Sequence, residues 1–145
     1  MKPRTRARSI ALQVLYEFDI ANHSPEIVLN ERVADSALDE NLILFSRQII
    51  FGVIPIIQIL DSVISKHAPE WPLDQVAVID RNILRIALWE IAVYNHTPVK
   101  VAINEAVELS KMFGSESTPR FVNGVLGSLV LHQNEIVQTL SQFKQ

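Results

Sequence analysis

An all-α fold with about seven helices is predicted, on three observations. Glycine occurs only four times in 145 residues, and strand-forming alternation is scarce. In addition, three Ser/Thr-Pro pairs (Ser24-Pro25, Thr97-Pro98 and Thr118-Pro119) each precede apolar residues at helical spacing. A hydroxyl at the N-cap accepts a bond from an orphan amide, and the proline behind it has φ preset and no amide to satisfy.

The elements follow in order. A first helix over about Arg4 to Ala21 buries Ile10, Val14 and Phe18 at intervals of four, with Ala11 and Leu15 beside them. A short second helix starts at Pro25 and carries Ile27, Val28 and Leu29. The apolar segment from about Glu40 to His67 forms a third, kinked near Gly52 and Pro55, and Pro69 and Pro72 end it. The fourth, from about Asp74 to Asn95, is apolar nearly all round and so belongs at the centre, with Trp89 in the core. The fifth runs from Pro98 to Phe113 and stops at Gly114 as a C-cap. The sixth starts at Pro119, and a last helical stretch covers about Asn134 to Phe143. The length fits one domain over 1–145.

Apolar residues make up 48% of the chain and charged residues 20%, a globular composition. No cysteine is present, which excludes disulfide scaffolds, cysteine nucleophiles and thiolate zinc sites, and fits a cytoplasmic protein. The stretch Ser9 to Ile20 is broken by Gln13, Glu17 and Asp19 and makes no signal-peptide core. The most apolar run, Ile49 to Leu60, is shorter than the roughly 20 residues a bilayer requires and reads as a buried helix.

Chemistry-bearing patterns are few, and no enzyme or cofactor is expected. His23, His67, His96 and His132 never fall at metal-ligand spacing, so no metal site is predicted. Gly124 and Gly127 lie in a helical pattern with no lysine after them, which is not a phosphate loop. Glu105 and Glu108 share a helix face and read as solvated, with Glu108 reaching Lys111. Asp80 and Arg81 read as an interaction surface or an ion pair.

The net charge of −3 conceals an asymmetry. Residues 1–8 carry Lys2, Arg4, Arg6 and Arg8 and no acid, whereas the other 137 residues hold nine basic and sixteen acidic side chains. On an ideal helix neighbours in the series Arg4, Arg6 and Arg8 are about 200° apart and cannot share a face. On an extended arm they do share one, and arginine forks suit phosphate. A basic arm of this kind points to nucleic acid; the bland reading is a solubilising terminus.

Two stretches go further. Pro98 to Gly114 (PVKVAINEAVELSKMFG) and Arg120 to Leu126 (RFVNGVL) closely resemble the signature of the NusB family of bacterial transcription antitermination factors. Arg6-Ala7-Arg8 followed by Ala11, Gln13, Leu15 and Tyr16 resembles the family's opening, and Leu84 to Glu90 its central helix. The resemblance implies two packed helical bundles, no cofactor, and a heterodimer with the ribosomal protein NusE. It also implies that this heterodimer binds single-stranded boxA RNA in nascent transcripts, notably of ribosomal RNA operons, as part of an RNA polymerase antitermination complex. Carried over by position, Arg4, Arg6 and Arg8 hold RNA phosphates, Phe121 and Asn123 meet bases, and Lys111 and Arg120 add charge nearby. Tyr16 and Asp80 match positions that face NusE. Phe121 in the core, Asn104 and Asn123 as caps or buried hydrogen-bonding residues, and Gly124 as a packing position are the structural alternatives.

Departures from the family pattern are local. Ser110 replaces a common alanine, Gly127 a common acid, and resemblance fades beyond Leu129. Two other readings remain. A module like those fused to ribosomal RNA methyltransferases is not expected to act as that enzyme without a glycine-rich cofactor region or a cysteine. A helical protein-binding adaptor without RNA recognition predicts no salt-dependent RNA binding. Pairing of the free protein with itself stays open.

Overall fold

Proline sets the start of the first two helices. In the computed structural model, which describes residues 1–70, 72 and 75–144, Pro3 opens α1 (Pro3–Ala21) and Pro25 opens α2 (Pro25–Ala34). The Ser24 hydroxyl accepts from the Ile27 amide at 3.4 Å, as a Ser-Pro start requires. Asn22 ends α1 in the left-handed region at φ 53°, its amide bonded to the Phe18 carbonyl, a conformation asparagine tolerates better than most residues.

Asp39 caps α3 (Glu40–Val53) through the Leu42 amide at 3.0 Å. The chain then tightens into a 3₁₀ turn over Ile54–Ile56, around Pro55, and resumes as α4 (Ile57–His67). The kink falls where Gly52 and Pro55 place it. Gly52 has a packing reason as well: a Cβ there would lie 2.6 Å from Trp89 Cε2, so its absence lets the indole rest against α3.

Three further helices follow: α5 (Val78–Trp89), continued by a π-helical stretch over Glu90–Tyr94, α6 (Val99–Phe113) and α7 (Thr118–Val130). Next come α8 (Gln133–Leu140) and a closing 3₁₀ turn, Ser141–Phe143. With α3 and α4 counted as one bent rod, seven helical rods stand among the described residues, and no strand is found there. The expected start of the fourth helix at Asp74 lies outside the described residues.

Two capping expectations are corrected. Thr97 does not cap α6: Pro98 holds the N-cap position, and the Thr97 hydroxyl donates to Glu90 instead. Thr118 already lies within α7, accepting from the Ser115 amide and donating to Asp80. Gly114 is the C-cap of α6, as its position predicts; its backbone is extended and its role is steric, since a Cβ would lie 2.5 Å from Thr118 Cβ.

Helix α5 is central, as its apolar girth predicts. It packs against α1, α3, α4, α6 and α7, and Ile83, Leu84, Ile86 and Leu88 are wholly enclosed. Trp89 is buried too. Helices α1, α2 and α3 form one group, α4 to α7 another, and one continuous cluster of buried apolar side chains draws on every helix. Phe18 and Ile27 depart from the expected core: the first is half-buried and the second exposed.

The apolar stretch is longer than the twelve-residue run suggested. Glu40–His67 spans 28 residues and by length and composition alone could cross a membrane. Here Ile49, Ile50, Val53, Leu60 and Ile64 enter the core, and Asp61 is ion-paired to Arg85 of α5 at 2.7 Å. Ser110, the departure from alanine, is fully buried and donates to the Ala106 carbonyl at 2.8 Å, so its hydroxyl is satisfied.

Candidate nucleic-acid interface

The basic N-terminus is helical, which changes what its arginines can do. Residues 3–8 form the first turns of α1, so Arg4, Arg6 and Arg8 do not line up along an extended track. Arg4 is exposed and lays its guanidinium 3.7 Å over the Phe45 ring of α3. Arg6 lines a groove between α1 and α2 that also holds Arg32 and the acids Glu17, Glu31 and Asp35.

Arg8 is corrected from a phosphate ligand to an internal strut. It forks onto Glu90 of the π-helical stretch, with Nε donating to Oε1 at 2.9 Å and Nη2 to Oε2 at 2.5 Å. Its Nη1 reaches Glu105 of α6 at 3.1 Å. The paired side chains of Arg8 and Glu90 are only 3% and 2% exposed. Thr97 adds a bond to Glu90, and Thr5 donates to Glu105 at 2.9 Å. Glu105 is therefore not a solvated carboxylate, whereas Glu108 is, pairing with Lys111 at 3.5 Å on an exposed face.

That strut holds the start of α1 against α6, and an open groove results. Lys2 lines one side of it, and Asn104, Lys111 and Met112 line the other together with Glu105 and Glu108. Sequence reasoning counted Lys2 in the basic arm but did not single it out, and it read Asn104 as structural; Asn104 is exposed. Arg120 and Asn123 are exposed on the first turns of α7, across the short turn from Lys111. Phe121 is half-buried and packs against the core. Gly127 faces open space, consistent with a surface position that has lost an acid.

Tyr16 lies on α1 and Asp80 in the first turn of α5, two helices that meet along a seam. The seam is pinned by Asp19, which accepts from Arg81 Nη2 at 2.7 Å and Arg85 Nη1 at 3.0 Å. Arg81 thus pairs with Asp19 rather than with its neighbour Asp80. Tyr16 is partly exposed one turn before Asp19. Asp80 accepts from the Thr118 hydroxyl at 2.9 Å, and burial pushes its carboxyl above the usual range while that bond opposes the shift.

The sign of this shift yields a test. A raised carboxyl means that the folded chain holds the proton more tightly, so ionising Asp80 reduces stability as pH rises past the ordinary carboxylate range. Asp80→Asn removes the desolvated charge and keeps an acceptor for Thr118. Its melting temperature at pH 7 is expected to equal or exceed that of the parent, and the difference should close near pH 4. A clear drop at pH 7 would contradict this.

Two histidines distant in the sequence meet in the fold. His67, at the end of α4, and His132, before α8, bring their rings to 4.7 Å between centroids, and Glu135 joins them. They come from positions too far apart in the chain for any local motif to show.

Fold and surface together define the class: an all-helical protein with an open groove between α1 and α6 that exposes Lys2 and Lys111. The chain is 44% identical over 134 residues to the transcription antitermination protein NusB of Roseiflexus sp., covering 91% of this chain and 94% of that protein. Its fold matches NusB of T. maritima with a TM-score of 0.80 at 29% identity, covering 92% and 98% of the two chains. It matches equally a chain from a crystal structure of the antitermination factors NusB and NusE in complex with dsRNA, with a TM-score of 0.81 at 26% identity, covering 91% and 98%. The NusB family model matches residues 5–130. The chain belongs to the NusB family.

Proposed function

We propose that this protein is a non-catalytic, cytoplasmic transcription antitermination factor that binds boxA RNA of nascent transcripts jointly with NusE. Family membership over residues 5–130 supports the antitermination role, and the similar chain solved with NusE and dsRNA supports both partners. The local observation that carries the RNA assignment is the open groove between α1 and α6, with Lys2 and Lys111 on its walls. Phosphates bind where cations are exposed and unburied, and this edge of an otherwise acidic chain offers them.

In this reading Lys2, Arg4, Arg6, Lys111 and Arg120 neutralise phosphates. Asn123 is exposed to reach a base edge, and Phe121 lies half-buried beside it. Arg8 serves indirectly, by fixing α1 against α6. Tyr16 and Asp80 face NusE. The test is gel filtration of purified protein, NusE and a boxA oligonucleotide, offered both as a single strand and as a duplex. Co-elution of all three with either RNA form is the expected result. Co-elution with NusE alone identifies a protein-binding adaptor and overturns the RNA assignment.

A further inference from the structure

We propose that His67, His132 and Glu135 form a binding site for a divalent cation of the zinc, nickel or copper kind, stapling the end of α4 to the start of α8. Each residue offers one ligand atom, and all three atoms lie within 4.8 Å of one another. The site joins two distant parts of the chain. His67 is the last residue of α4, His132 is the N-cap residue of α8, and Glu135 lies in that helix's first turn. A helical step of three places His132 and Glu135 on one side, facing His67.

The donor set selects the ion. Two imidazoles and one carboxylate suit borderline cations such as zinc, whereas calcium and magnesium demand oxygen donors. Bonds of about 2.0–2.1 Å in a tetrahedral site put two ligand atoms roughly 3.4 Å apart, so the trio must draw in by up to about 1.5 Å. His132 and Glu135 are exposed and His67 half-buried, so such rotamer changes meet little packing resistance. The imidazole of His132 makes no capping bond to α8 that a metal would have to break. Water fills the remaining coordination positions.

Lys66 is the resident competitor. Its ammonium stands 3.2 Å from Glu135 Oε1, with both side chains more than half exposed. An exposed pair of this kind is weakly held, so a metal ion can displace it. The position therefore predicts a response of opposite sign from its neighbours: removing Lys66 tightens the site.

The experiment is calorimetric titration of the intact protein with zinc chloride, with melting curves in zinc and in excess chelator. One zinc per chain is expected, with a melting temperature that rises with zinc and falls back with chelator. His67→Gln, His132→Gln and Glu135→Gln should each weaken binding by more than about tenfold, since even an outer-shell partner carries that much. Lys66→Ala should strengthen it, and His23→Gln and His96→Gln should leave it unchanged. His132→Gln and Glu135→Gln alter exposed side chains, so circular dichroism should show both variants folded. No binding up to millimolar zinc, or binding retained in His132→Gln, overturns the proposal.

Discussion

Replacing Arg8 with alanine is expected to destabilise the protein by about 3–5 kcal/mol, the range found when one partner of a buried ion pair is removed. The guanidinium holds Glu90 through two bonds and Glu105 through a third, and the Arg8 and Glu90 side chains are almost wholly enclosed. Without it Glu90 keeps only the Thr97 hydroxyl, a neutral donor for a buried charge. At about 2–4 °C per kcal/mol for a chain of this size, the melting temperature should fall by roughly 10 °C. Arg8→Lys should recover little, because an ammonium cannot match the two-pronged geometry. The double replacement Arg8→Met with Glu90→Leu should recover most of the loss, because no charge is then stranded. Chemical unfolding of the three variants checks this. A loss below about 1 kcal/mol for Arg8→Ala would place the pair among weakly coupled surface bridges.

Arg85→Ala carries the second largest expected effect, about 2–3 kcal/mol, at the lower edge for buried charge pairs. Arg85 donates to Asp61 at 2.8 and 2.7 Å, to Asp19 at 3.0 Å and to Asn82 at 3.1 Å. The loss is smaller than for Arg8 because Asp19 retains Arg81, and Asp61 is 28% exposed. Its pH dependence follows from Asp19. Burial works to raise that carboxyl, but the bonds from Arg81 and Asn82 and the charges of Arg85 and Arg81 outweigh it and hold it below its ordinary value. A depressed carboxyl stabilises the fold above the unfolded value, near 3.9, and that contribution disappears as pH falls through the folded value. The gap between wild type and Arg85→Ala should therefore narrow below about pH 4. A gap that is constant from pH 7 to pH 3, followed by thermal melts, would mean that the guanidinium acts through packing alone.

Most of the fold was legible because its signals are local. Pro25 behind Ser24 and Gly52 with Pro55 each act within one helical turn, and the helices begin or bend there. The errors arise where a local group is claimed by a distant one. Thr97 and Thr118 have the chemistry of helix caps, but Glu90 and Asp80 take their hydroxyl protons, and neither threonine holds the N-cap position. Arg8 carries the same charge as Arg4 and Arg6, and charge alone cannot show that two acids from other helices enclose it. Its place, four residues beyond Arg4 on the same helix face, was visible once a helix rather than an arm was assumed. The chain spacing of His67 and His132 matches no local motif; only the packed fold brings their rings together.

Of the residues that the resemblance assigns to RNA, Lys111, Arg120 and Asn123 are exposed and Phe121 is half-buried against the core. The groove wall formed by Lys2 and Asn104 depends on how α1 lies against α6, and that angle is set by Arg8 and Thr5 bonding to Glu105.

The most direct measurement is the salt dependence of boxA RNA binding in the presence of NusE, by fluorescence anisotropy. If Lys2, Arg4, Arg6, Lys111 and Arg120 each neutralise one phosphate, the log–log slope for a single strand should be about −3.5, from roughly −0.7 per contact. Lys2→Ala with Lys111→Ala should bring it to about −2. A slope near zero, or one that the two lysine replacements leave unchanged, would contradict an RNA surface along the α1–α6 groove.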